Sequence, residues 1–202
     1  MMFRVVFAAL LLFSAAAPAV TLEALQQRFA GQPVVRANFS QIREINGMTQ
    51  PLKSSGELLI ARDNGLWWHQ AKPFPMTLVL DDTRMVQVMN GQTPQIVTKE
   101  SNPQMFQFNH LLRALFQADR EVLEQNFRLD FQDEGQEKWR LALTPKTSPL
   151  DKLFTSLTLT GATWLETIQL RDRQGDNTLI LLSNQRATPE TLTDEERQRF
   201  VF

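Results

Sequence analysis

The chain has 202 residues and a formal net charge of −1, with 14 Phe, 4 Trp, no Tyr and no Cys. This near-neutral balance leaves no electrostatic footprint for nucleic acid or an anionic membrane. The absence of Cys excludes disulfides, thiol nucleophiles, thiolate metal sites and a lipid anchor on an N-terminal Cys, while aromatic content without hydroxyls suits a dry interior or pocket.

At the N-terminus Arg4 precedes an apolar run from Val5 to Phe13, and Ala17-Pro18-Ala19 supplies small residues at a cleavage site. That is the pattern of a secretory signal peptide over residues 1–19. No later segment approaches the ~18 uninterrupted apolar residues of a membrane span. Residues 20–202 are therefore expected to form a single exported, soluble domain, held together by its core alone.

A short amphipathic helix is expected from Thr21, which can cap it, with Leu22, Leu25 and Phe29 on one face and Gly31 as the stop. Val35, Ala37 and Phe39 alternate with Arg36, Asn38 and Ser40, which predicts a strand from Val34 to Arg43. Leu52 to Ala61 pairs back on it. Asp63-Asn64-Gly65 then marks a tight turn, because Asx-Gly tolerates the positive φ that such turns need. In the strand that follows, Leu66 and Trp68 face one side and Trp67 and His69 the other. A sheet with large apolar groups on both faces needs a cover on each, or a ligand on one. Met76 to Leu80 and Arg84 to Met89 form a hairpin around Asp81-Asp82-Thr83, and Gln95 to Thr98 adds a sixth strand.

The period then changes. Asn102 and Pro103 suit a helix start, and Met105, Phe108, Leu111, Leu112, Leu115 and Phe116 make an apolar stripe that Phe106 widens. A second helix is expected over Asp119 to Gln125, anchored by Leu123. Strands resume at Phe127 to Phe131, Lys138 to Leu143, Leu153 to Thr160, Thr163 to Arg171 and Asn177 to Gln185. The tail opens with a capped acidic turn at Thr193, where Glu195-Glu196-Arg197 reads as a solvated helix face. About ten strands with two or three helices point to a mainly β (α+β) chain, a strongly curved antiparallel sheet with helices inside or beneath it.

Signals for catalysis are absent. The two His, His69 and His110, share no metal-type spacing, and no H-E-x-x-H, G-x-S-x-G or G-x-x-x-x-G-K occurs. Asp81-Asp82 sits where a hairpin turn wants Asp. The aromatic excess has two readings, a packed core or the lining of a cavity for acyl chains, and periodicity does not separate them.

The signal peptide, the short first helix, Phe39-Ser40-Gln41, Ser55-Gly56-Glu57-Leu58 and Leu143-Thr144-Pro145-Lys146, in this order, resemble the LolA/LolB-like family of bacterial lipid-binding domains. The resemblance implies an incomplete antiparallel β-barrel of about 11 strands with a helical lid over a hydrophobic cavity, without cofactor, metal or catalysis. It implies a monomeric periplasmic carrier that holds the acyl chains of a lipoprotein or free lipid between an inner-membrane donor and an outer-membrane acceptor. The other role it allows is a sensor or accessory module of the same fold. By its place in the family motif, Arg62 would bond the lid and latch the empty cavity. Asp63 stands where the family has Pro and is placed to pair with Arg62. Expected lining residues are Leu66, Trp68, Met76, Leu78, Met89, Phe106, Phe108, Leu112, Leu115 and Phe116.

Overall fold

In the computed structural model, residues 19–89, 91–103, 111 and 113–202 are described. The expected signal peptide lies outside them but for its last residue, as do Met105, Phe106, Phe108, His110 and Leu112. One antiparallel sheet of 11 strands organises the rest, in the order β6-β5-β4-β3-β2-β1-β11-β10-β9-β8-β7. In chain order the strands are β1 (Val34–Glu44), β2 (Leu52–Ala61), β3 (Gly65–Lys72), β4 (Met76–Leu80), β5 (Arg84–Met89), β6 (Gln95–Thr98), β7 (Phe127–Gly135), β8 (Lys138–Pro145), β9 (Phe154–Gly161), β10 (Leu165–Asp172) and β11 (Asn177–Arg186).

Two meanders, β1–β6 and β7–β11, join through the β1–β11 pair, and the end strands β6 and β7 do not pair with each other. The barrel is thus incomplete. The chain between those ends must cross the open side, and there residues 113–117 are helical. Helix α1 (Leu22–Ala30) precedes the sheet, with the Thr21 hydroxyl accepting a hydrogen bond from the Ala24 amide. Helix α2 (Arg120–Asn126) is capped by the Asp119 carboxylate and anchored by the fully buried Leu123. A one-turn helix, α3 (Leu150–Leu153), occupies the ground where the eighth-to-ninth strand connection was expected to be already extended at Leu153. Its Leu150 is buried, so the turn is held by packing rather than by propensity.

Alternation assigns the two faces. Ala37, Phe39, Leu58, Leu66, Trp68, Leu78 and Leu80 point inward, with Leu111, Ala114, Leu115, Phe116 and Leu123 of the crossing chain packed among them. Gly65 opens β3 at φ +112, where a Cβ would collide with the Leu80 carbonyl oxygen, so glycine is required at this turn. The outer face carries Val34, Leu59, Ala61, Trp67, Val79 and Val86, and the tail covers it with Leu192 and Phe200. The Arg199 guanidinium lies 4.5 Å from the centre of the Trp67 ring, a cation–π contact. Both tryptophan faces therefore find their cover, one from the tail and one from the interior.

The tail's short helix, α4 (Asp194–Gln198), corrects the expectation of a solvated acidic face. Glu196 is 8% exposed and Arg36 is 6% exposed. Arg36 Nε and Nη2 donate to the two Glu196 oxygens at 2.6 and 2.7 Å, and the same guanidinium donates to the Pro189 and Thr191 carbonyls. Glu196 also accepts from the Thr193 amide, which closes a capping box. Glu196 turns toward the sheet and is buried, while its acidic neighbours Glu195 and Asp194 face solvent. The Arg36 hydrogen bonds lower the Glu196 pKa to about 2.

Replacing one partner strands the other charge in the interface. Glu196→Gln should cost on the order of 3 kcal/mol at neutral pH by urea denaturation. A carboxyl whose folded-state pKa is depressed stabilises above its unfolded value and loses that stabilisation on acidification. The gap between wild type and variant should therefore narrow as pH falls from about 4.5 toward about 2. A pH-independent gap would show that the ion pair is not its source.

Candidate functional site

Beneath the crossing chain the inner face is not filled. A cavity of about 420 Å³ opens among β1, β3, β4 and β9–β11, within the range of small-molecule sites. Trp68, Met76 and Leu78 from β3 and β4 form one wall, and Leu111, Leu115 and Phe116 form the roof. The far wall comes from the second meander, with Phe127, Phe154, Leu157, Ile168, Leu170 and Ile180. A second cavity of about 190 Å³ lies under the C-terminal end of α1, lined by Phe29, Val35, Ala37, Leu58, Ile60, Phe116, Leu165 and Leu182 among others. Among the described residues both linings are mainly apolar.

The larger cavity is polar at one end only. Gln41, Arg43, Asp172, Asp176 and Thr178 gather there, where β1, β10 and β11 reach the same rim. Arg43 Nη2 donates to Asp176 Oδ2 at 2.9 Å, and the Asn46 amide donates to Asp176 Oδ1 at 3.0 Å. The Asn46 and Arg43 hydrogen bonds hold the Asp176 carboxyl below its ordinary range, so it stays ionised. Half of the Arg43 side chain is exposed, which keeps part of its fork free of the interior.

Trp68, Met76, Leu78, Leu115 and Phe116, all expected on the lining, come together on the larger cavity. Leu66 lies in the same core at 1% exposure but borders neither cavity. Met89 is 41% exposed. It ends β5 beside the four-residue edge strand β6, opposite Met76, where no further element covers it among the described residues. The second meander's contribution was not expected. Its signal was present, since Leu157 with Leu159 and Ile168 with Leu170 repeat the alternation that marks an inner face.

Arg62 lies in the β2–β3 turn and donates from Nη2 to the carbonyl of Ala30, the last residue of α1, beside the smaller cavity. Its own amide donates to the Pro33 carbonyl at 2.9 Å. Among the described ion pairs none joins Arg62 to Asp63; the guanidinium reaches α1 instead. Two other ion pairs tie the covering elements down: Arg113 of the 113–117 segment with Asp82 in the β4–β5 turn, and Arg120 of α2 with Glu23 of α1. Asp81 does the work of a turn residue, accepting from the Thr83 and Arg84 amides at 2.8 Å each. His69 stacks on Trp67 and shares a 2.8 Å hydrogen bond with the Thr77 hydroxyl. Among the described residues no group of three His, Asp or Glu is placed to hold a metal.

The family model for outer membrane lipoprotein carrier protein LolA-like sequences matches residues 14–200. An outer-membrane lipoprotein carrier protein of Pseudomonas fluorescens is 28% identical over 164 residues, which cover 81% of this chain and 76% of the relative. A LolA superfamily protein from Nitrosomonas europaea, solved by crystallography, aligns with a TM-score of 0.48 at 10% identity, over 88% of this chain and 97% of its own.

A void and a packed core respond differently to added volume. Leu170→Phe, on the wall of the larger cavity, has room for its extra carbons and should change the midpoint of urea unfolding by less than about 1 kcal/mol in free energy. Leu143→Phe, in the fully buried core away from either cavity, should cost about 1–3 kcal/mol. Equal penalties at the two sites would mean that the space beside Leu170 closes up in solution.

Proposed function

The chain belongs to the outer membrane lipoprotein carrier protein LolA-like family, and from that premise we propose that it is a periplasmic carrier. In this reading residues 20–202 act as one non-enzymatic, monomeric domain that shelters the acyl chains of a lipoprotein or other envelope lipid. The domain takes its cargo from an inner-membrane donor and passes it to an outer-membrane acceptor. The observation that supports this best is the apolar cavity of about 420 Å³ under the 113–117 segment.

The energetics suit reversible carriage. A buried methylene returns about 0.8 kcal/mol, so a hydrocarbon tail of ordinary length supplies more than enough to displace a cover. Among the described residues the polar bonds that hold the cover are Arg62 to Ala30, Arg113 to Asp82 and Arg120 to Glu23. A hydrogen bond from a charged group contributes roughly 1.5–3 kcal/mol, and exposed ion pairs about 0–1 kcal/mol. Such a cover closes by itself and yields to a ligand. In the proposed cycle Arg62 is the latch of the closed, empty state, and Trp68, Met76, Leu78, Leu115 and Phe116 meet the hydrocarbon.

Native mass spectrometry of the protein purified from an envelope fraction is expected to show a bound lipid, released on mild activation, and the purified protein is expected to take up a fluorescent fatty acid. Failure to bind lipid in both assays would remove the carrier reading. Arg62→Leu removes an interaction made in the closed state alone. Its affinity for the fluorescent fatty acid should therefore rise by about tenfold or more, with slower release. A reduced affinity would assign Arg62 to ligand contact instead of the latch.

A further inference from the structure

The inner face of β1 presents Val35, Ala37, Phe39, Gln41 and Arg43 in succession. Val35 and Ala37 line the smaller cavity, while Gln41 and Arg43 line the larger. Phe39, between them, borders neither; it is buried, and its ring centre lies 4.1 Å from that of Trp68. Phe116 comes down from the 113–117 segment, and among the described residues it alone borders both cavities. The same division runs along β11, where Leu182, paired with Phe39, lines the small cavity and Ile180, paired with Gln41, lines the large one. One groove along the inside of the sheet is thus divided by aromatic side chains, with apolar walls on both sides of the division.

Among the described residues the charged groups of the larger cavity, Arg43, Asp172 and Asp176, lie at the end away from Phe39, and Gln41 stands between them and the ring. An amphiphile seated there has its head at that rim and its methyl end against the rings. We propose that Phe39, Trp68 and Phe116 form a chain-length gauge for the acyl ligand. Tails that end at the partition fill the larger cavity, and longer tails gain further cover only when Phe116 swings aside and admits them to the smaller one. This rests on the carrier reading above and adds the property that decides which lipids are held.

The gauge has a signature along a homologous series. Each methylene that gains cover is worth roughly fourfold in affinity, and one that meets the partition gains almost nothing. Displacement of a fluorescent fatty acid by saturated fatty acids from octanoate to behenate should give an affinity that rises with length and then flattens. The common carboxylate cancels from the comparison. In Phe116→Ala the break should move to longer chains by several methylenes, and in Phe116→Leu it should move the same way by less. Ala37→Phe, which plugs the smaller cavity, should cancel the shift when combined with Phe116→Ala. A break that stays put in both Phe116 variants, while binding persists, overturns the gauge and leaves the carrier reading standing. Wild-type protein that binds no member of the series overturns both.

Discussion

An eleven-stranded sheet whose end strands never meet leaves one side of its interior without a wall. Closing β6 onto β7 would have satisfied their outer backbone groups and sealed the barrel. The chain bridges the gap with the segment between them, whose 113–117 portion is helical, and a helix lies on a concave sheet as a separate body. Two curved surfaces of side chains do not interdigitate to full density everywhere. Where they part, the lining is Trp, Met, Leu, Phe and Ile, and among the described residues the charged groups gather at the Arg43–Asp176 rim. The opening in the barrel and the presence of a cavity both descend from that missing strand pair.

The opposite surface of the sheet obeys a different rule. Trp67, Leu59 and Val79 on the outer face would be a sizeable exposed apolar patch if left bare. The tail lies over them, and a bidentate Arg36–Glu196 pair fastens it with further bonds to Pro189 and Thr191. This fastening is buried, multiply hydrogen-bonded and costly to break on one side. Over the inner face the described polar contacts are Arg62 to Ala30, Arg113 to Asp82 and Arg120 to Glu23, beside the packing of Leu111, Leu115 and Phe116.

Much of this was legible in the order of residues. Alternation placed the strands within a residue or two at their ends, except β7, which runs on from the expected Phe131 to Gly135, because a sheet with one inner face must repeat with a period of two. The Asp63-Asn64-Gly65 turn, the Thr21 and Thr193 caps and the opposed pair Trp67 and Trp68 are local consequences of backbone sterics and side-chain reach. The short family motifs added the incomplete barrel and singled out Arg62. Along the first meander, Trp68, Met76 and Leu78 were readable as one wall, since neighbouring antiparallel strands in a simple meander share their faces.

What only the tertiary structure decided are the relations between residues far apart in the chain. The Arg36–Glu196 pair spans 160 positions, and nothing in an acidic turn at Glu195-Glu196-Arg197 says which of its carboxylates will turn inward. The far wall of the cavity comes from β9 to β11, brought round by the β1–β11 pairing that no local signal announces. Met89 has the right periodicity for the lining and still lies exposed, because its place at the end of β5 beside a short edge strand leaves it uncovered. Period and composition determined which face each side chain takes. Whether that face ends in packed core, open cavity or solvent depended on how the sheet curves and what lies across it, and free space is a property of the assembled fold that no single residue carries.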